Sequence, residues 1–282
     1  MARRWHLAVL GSLAAFALAC EAGAGAGGTG GGGGSTPAKG YPSSMAALGD
    51  SITAGFGSCG SFLACGRNSW STGTAEAVDS HYRRILAKNP KIKGKARNFA
   101  EPGAEARSLP SQVVQAVDMK AQYVTILIGA NDACAPSPAG MTPVATFRRD
   151  VDRALTRLKK GLPKADVLVA GIPDLYRLWQ LGRKDDRAVR AWQRFNTCRS
   201  MLAAPRSTTD PDDARRRQVQ ARINDYNDEL RQACDKYGSR CRWDNDSHET
   251  SFNLDLVNQV DYFHPNQKGQ AQLSDATYTA FG

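Results

Sequence analysis

The chain has 282 residues, with 37 Lys and Arg against 27 Asp and Glu, and a formal net charge of +10. That length allows one large domain. The basic residues recur along several segments with acidic ones among them and without an aromatic-interleaved basic motif, which argues against a nucleic-acid partner and for a solvated basic surface facing an anionic cell envelope.

In chain order, the basic opening "MARRWH" precedes the apolar "LAVLGSLAAFALA", which is too short for a good membrane span, and the small residues Ala17 and Ala19 precede Cys20. This is the pattern of a secretory signal over residues 1–19. Cleavage before Cys20 fits ordinary A-x-A processing, while "ALAC" also resembles a bacterial lipobox with Ala17 where Leu is usual, so Cys20 is a candidate for lipidation. The glycine-rich stretch that follows cannot bury a core and reads as a flexible tether over 20–43. Membrane contact is expected only through such a lipid anchor.

From residue 44 to 282 apolar, strand-like runs alternate with helical stretches. Strands are expected at "MAALG", "ARNFA", "YVTILIG" and "DVLVAGIP", with a weaker one near "CRWD". The βαβα order predicts an α/β fold with a central parallel sheet covered by helices on both faces. One helix is expected to start with Asp210 as N-cap and Pro211 in the first turn, and to bury Val219, Ile223, Tyr226, Leu230 and Ala233. Gly238 lies beyond its end, and the arginines on its other face are expected in solvent.

Setting Cys20 aside leaves six cysteines: Cys59, Cys65, Cys134, Cys198, Cys234 and Cys241. In an exported chain they predict three disulfides. Short loops favour Cys59 with Cys65 and Cys234 with Cys241, leaving Cys134 with Cys198. No C-x-x-C pair supports structural zinc, and neither a metal nor a cofactor is expected.

Ligands of such a sheet bind at the carboxyl ends of its strands. There Ser51 follows the first strand in "ALGDSITAGFG", Gly103 follows the second in "NFAEPGAEA", and Asn131 follows the third in "ILIGANDAC". An attacking hydroxyl needs a base and donors aimed at the tetrahedral oxyanion, and the N–H groups of Ser51 and Gly103 with the Asn131 amide could form that donor set. Of four histidines, His6 lies in the signal, His81 in an expected helix and His248 in a polar segment without a motif. His264, in "VDYFHPNQKGQ" before the last helix, has Asp261 three residues earlier to hold its ring. Asp50 and Asp132 are expected to brace the loops of Ser51 and Asn131.

"GDSIT", an isolated Gly, "GAND" and "DYFHP", in this order and spacing, resemble the SGNH, or GDSL, hydrolase family over about residues 44 to 282. The likeness is strongest to its secreted actinobacterial esterase and lipase branch, where "C-x-R" (Cys65, Arg67) and "FHP-x-x-x-GQ" recur. The resemblance implies a three-layer flavodoxin-like α/β/α sandwich, Ser51 as nucleophile, Ser51, Gly103 and Asn131 in an oxyanion hole, and Asp261 with His264 completing a triad. Some relatives use a backbone carbonyl instead of the acid. The expected function is an exported, monomeric serine esterase or lipase acting on a small-molecule or lipid ester through an acyl-enzyme. A carbohydrate acetyl esterase and a non-catalytic tethered binding module are the alternatives, and intact Ser51, Asn131 and His264 argue against the module.

Overall fold

The computed structural model describes residues 40–249 and 253–278; the expected signal, Cys20 and residues 20–39 of the expected tether lie outside them. Five strands form one sheet: β1 (Met45–Gly49), β2 (Ala96–Asn98), β3 (Tyr123–Leu127), β4 (Asp166–Ala170) and β5 (Cys241–Asp244). Every pairing is parallel, in the order β2-β1-β3-β4-β5. The helices are α1 (His81–Lys88), α2 (Leu109–Asp118), α3 (Ala130–Ala133), α4 (Val144–Gly161), α5 (Leu175–Gly182), α6 (Asp186–Phe195), α7 (Arg199–Leu202), α8 (Asp210–Tyr237), α9 (Asp246–Glu249) and α10 (Gln267–Tyr278).

Successive side chains of a strand point to opposite faces, so a strand buried on both sides reads as a continuous apolar run. Ala46, Leu48, Val124, Ile126, Val167 and Val169 join one core, filled from the helices by Leu109, Val113, Phe147, Val151, Ile223 and Leu230. Their neighbours Met45, Tyr123, Leu127, Leu168 and Ala170 join a second core with Trp70, Ile85, Ile92 and Leu273. Two cores on two faces of one parallel sheet make the expected three layers.

The expected stripe of α8 is buried throughout: Val219, Ile223, Tyr226, Leu230 and Ala233. Two details differ from expectation. Thr209, not Asp210, is the extended N-cap residue, and Asp210 begins the helix ahead of Pro211; the first N–H groups of a helix lack intrahelical partners, so a proline there locates the start only to within a residue. Arg216 is not in solvent but fully buried: its guanidinium lies 4.2 Å over the Trp179 ring and donates to the carbonyls of Ser207 and Ala204 at 2.9 and 2.8 Å. A planar cation with fixed donors is suited to such a stacked, carbonyl-lined place.

Disulfides join Cys59 to Cys65, Cys134 to Cys198 and Cys234 to Cys241, with Cα–Cα distances of 6.0, 4.3 and 5.3 Å. The second ties the segment after β3 to the start of α7 and spans 64 positions.

Candidate active site

Strand order reverses about β1, which lies between β2 and β3, and a crevice opens beyond the carboxyl ends at such a reversal. Ser51 emerges there. The Ile52 N–H donates to Asp50 Oδ1 at 2.9 Å and the Ala54 N–H to the Asp50 carbonyl at 3.0 Å, so Asp50 caps one helical turn that presents Ser51. Gly49 precedes this turn at φ +140°, and a Cβ there would lie 2.1 Å from the Leu127 carbonyl oxygen. Only glycine lets β1 end so close against β3. The buried Gln112 on α2 grips Gly49 from the other side, accepting from its N–H at 2.8 Å and donating to its carbonyl at 2.9 Å.

His264 and Ser51, 213 positions apart, meet at Nε2···Oγ 2.9 Å. On the far side of the ring, Nδ1 lies 2.7 Å from Asp261 Oδ2. Among the described residues the partner of Nδ1 is therefore this carboxylate and not a backbone carbonyl. With the Nδ1 proton directed at Asp261, Nε2 is left to accept from the Ser51 hydroxyl. Asp261 Oδ1 accepts from Asn258 Nδ2 at 2.8 Å and from the N–H groups of Phe263 and His264 at 2.8 and 3.0 Å. Burial alone would raise the Asp261 pKa, but the hydrogen bond and charge of His264 and these N–H donors outweigh it and hold the carboxyl below its usual range. Asp50, which also feels the His264 charge, is driven the other way: burial pushes it up to about 7, and its Oδ2 accepts no hydrogen bond. Burial thus favours the protonated form of Asp50, while the donors around Asp261 favour its anion.

The imidazole is confined between rings, Phe56 at 4.8 Å and Phe263 at 5.1 Å centroid to centroid. Ile52, Phe263 and Pro265, which flank Ser51 and His264 in sequence, help to line a small apolar cavity of about 70 Å³. Between Asp261 and His264, Tyr262 holds φ +54°, a left-handed conformation that a bulky residue adopts at a cost, and its carbonyl accepts from Trp192 Nε1 at 3.0 Å.

The other two sequence blocks are bonded to each other. Asn131 Nδ2 donates to the Ala104 carbonyl at 2.9 Å, and Asp132 Oδ2 accepts from the Ala106 N–H at 2.9 Å, which stitches the loop of Gly103 to α3. Burial pushes Asp132 up to about 6. Gly103 holds φ +83° with open space around it, so its backbone shape, rather than crowding, demands glycine. Neither the Ser51 nor the Gly103 N–H has an acceptor among the described residues.

The remaining described histidines are elsewhere. His81 is fully buried between the Tyr123 hydroxyl and Thr277 Oγ1, both at 2.9 Å, and burial with nearby Arg84 lowers its pKa to about 3. His248 Nδ1 donates to the Ile172 carbonyl at 2.7 Å. Among the described residues no group of three His, Cys, Asp or Glu side chains could hold a metal ion.

Three supporting residues escaped the sequence reading. Gln112 was detectable as a polar residue on the apolar stripe of α2, beside Leu109, Val113 and Ala116. Asn258 shapes the Asp261 turn through Oδ1, which accepts from the Val260 and Asp261 N–H groups at 2.9 Å each. Gln270, quoted in the last motif without a role, accepts from the Trp70 N–H and donates to the Ile52 carbonyl at 2.9 and 2.8 Å, tying α10 to the Ser51 turn.

No curated protein matches the chain. Among solved structures, a protein described as a GDSL-like lipase from Parabacteroides merdae shares 15% identity at a TM-score of 0.53, over 84% of this chain and 94% of its own. A family 2 carbohydrate esterase with a carbohydrate binding domain from Corynascus thermopiles shares 15% at 0.50, over 88% and 68%. An extracellular lipase from Streptomyces rimosus shares 17% at 0.46, over 84% and 99%. Likeness at these identities concerns the fold. The model of the GDSL-like lipase/acylhydrolase family matches residues 47–272, a span that holds Ser51, Gly103, Asn131 and His264 together, and on that match the chain belongs to this family and is an ester hydrolase.

Proposed function

We propose that the protein is an exported serine ester hydrolase in which Ser51 is the nucleophile. Ser51 Oγ attacks the ester carbonyl while His264 Nε2 takes its proton, and Asp261 stabilises the imidazolium that forms. The negative charge that develops on the carbonyl oxygen is received by the N–H groups of Ser51 and Gly103 and by the second N–H of the Asn131 amide. His264 returns its proton to the leaving alcohol as the acyl-enzyme forms. Water, deprotonated by the same ring, then releases the acid and regenerates Ser51.

The observation that carries this reading is the hydrogen-bonded chain from Asp261 to His264 to Ser51, at 2.7 and 2.9 Å. A binding module has no use for a chain so arranged. Three disulfides support an oxidising compartment, and the signal pattern of residues 1–19 supports export, with Cys20 either the first mature residue or the lipid anchor. In the test, Ser51→Ala and His264→Ala are assayed on a chromogenic acetyl ester, and the wild type is treated with a fluorophosphonate followed by peptide mass mapping. Both variants should lose turnover by a similar large factor, because nucleophile and base act as a unit, and the adduct should sit on Ser51. Appreciable turnover by folded Ser51→Ala, or an adduct elsewhere, defeats the assignment.

A further inference from the structure

Soluble proteins expose single apolar side chains everywhere, so a grouping of them carries the information. The exposed large hydrophobics among the described residues are Phe62, Leu63 and Phe195, at 45%, 70% and 39% exposure. Phe62 and Phe195 come from two segments far apart in sequence and meet, with Leu63 next to Phe62 in the chain. The Phe62 ring meets the Phe195 ring edge-on at 4.8 Å, and Phe56 lies 6.3 Å from Phe62 and 4.8 Å from the His264 ring. An apolar strip therefore runs from solvent to the imidazole.

The strip is held in place. The loop bearing Phe62 and Leu63 is closed by the Cys59–Cys65 disulfide and by the Gly57 N–H donating to the Leu63 carbonyl at 3.1 Å, and the Cys65 N–H donating to the Gly55 carbonyl at 3.2 Å brings Phe56 into the same closed segment. Gly57 presses so closely on the catalytic loop that a Cβ there would lie 2.5 Å from Asn258 Nδ2. Phe195 ends α6, and the Arg194 guanidinium lies 5.5 Å over its ring. Rigid apolar surface beside a reacting centre stabilises bound apolar groups with little ordering cost.

Resting on the function proposed above, we infer that Phe56, Phe62, Leu63 and Phe195 carry the apolar chain of the substrate, which makes the substrate class esters with a chain of several methylenes. Acetylated sugars fit this surface poorly. Its rings are tilted by 71°, 53° and 56° to their neighbours and offer no flat platform, and its most exposed member, Leu63, is aliphatic. The chain can belong to the acyl group or to the alcohol, and the experiment separates the two.

The wild type, Phe62→Ser, Phe195→Ser and the double variant are compared on two ester series, one lengthening the acyl chain from acetyl to dodecanoyl and one lengthening the alcohol of an acetate ester. All substrates are compared below their micellar concentrations, and the longest of each series is also assayed above it. A methylene transferred fully out of water contributes a factor of about four, and a one-sided surface about half that free energy, or roughly twofold per methylene. The wild-type kcat/KM should rise by this factor along one series, and that series identifies which side of the ester lies on the strip. In the double variant the octyl-to-ethyl ratio of the alcohol series or the octanoyl-to-acetyl ratio of the acyl series should fall on the order of tenfold. Turnover of ethyl acetate, the shortest ester, stays unchanged, and Leu in place of Ser at position 62 restores most of the loss that Phe62→Ser causes. The substituted side chains are exposed, and melting curves check that the fold is kept. An undiminished chain-length dependence in the double variant overturns the inference while leaving Ser51 chemistry intact. So does a preference for acetylated sugars, a dependence seen only above the micellar concentration, or a wild-type dimer that the double variant dissociates with chain-length dependence unaltered. Failure of the wild type to hydrolyse any ester would instead remove the underlying function.

Discussion

Replacing Asn131 by Ala separates two things this side chain does. Its Nδ2 donates one proton to the Ala104 carbonyl at 2.9 Å, which steadies the loop of Gly103, and its second proton is the proposed oxyanion donor. A neutral hydrogen bond of the first kind contributes about 0.5 to 1.5 kcal/mol to stability. In a domain of this size that lowers the melting temperature by roughly 1 to 6 °C, at about 2 to 4 °C per kcal/mol. Loss of one oxyanion donor costs about 2.7 to 4 kcal/mol in the transition state, a fall in kcat of roughly a hundred- to thousandfold. KM should change far less. Asn131→Asp should be at least as harmful, because a carboxylate oxygen would face the Ala104 carbonyl without a proton to share and would repel the developing oxyanion. Steady-state kinetics on one soluble short-chain ester, with circular dichroism melts of each variant, measures both effects. A kcat within about threefold of wild type in a folded Asn131→Ala protein would refute the donor role. A melting temperature depressed well beyond that range would show that loop disruption accounts for any lost rate.

The Cys134–Cys198 disulfide spans 64 positions and the other two span 6 and 7. Loop-closure entropy then assigns it about 4 kcal/mol against about 2 each for the short ones. Denaturant titration of Cys134→Ala/Cys198→Ala should show the larger loss, and a cost no greater than that of Cys59→Ala/Cys65→Ala would contradict an origin in loop closure. His81, buried and lowered to about 3, stays neutral in the fold while the unfolded chain takes up a proton below about 6.5. Its contribution is therefore whole above that pH and is lost as pH falls toward 3, at about 1.4 kcal/mol per unit. Asp50, raised to about 7, has the opposite slope between about 4 and 7, so the informative quantity is the stability difference between wild type and His81→Gln. That difference should grow with pH from 4 to 6.5, and a constant difference would show that His81 is not held neutral.

The three central strands were legible because β1, β3 and β4 are largely apolar runs buried on both faces. The edge strands β2 ("ARN") and β5 ("CRWD") carry polar, partly exposed residues and gave a weaker signal. Ser51, Gly103, Asn131 and His264 were legible because each lies beside a strand end or helix start that local residues mark. Even the six cysteines sorted themselves by loop length. Tertiary structure alone decided how these pieces meet. Nothing local indicates that Gln112 grips Gly49 or that Gln270 ties the last helix to the turn of Ser51. Arg216 read as a solvated residue because its stretch is full of charge, and its stacking on Trp179 depends on a helix 37 positions earlier in the chain. The same holds for Phe62 and Phe195, which are ordinary loop and helix-end residues in sequence and form a strip only where two segments fold together. Periodicity reports the burial of an element's own face, whereas the partner of a side chain is set by the packing of elements distant in sequence, and that packing exists only in the folded chain.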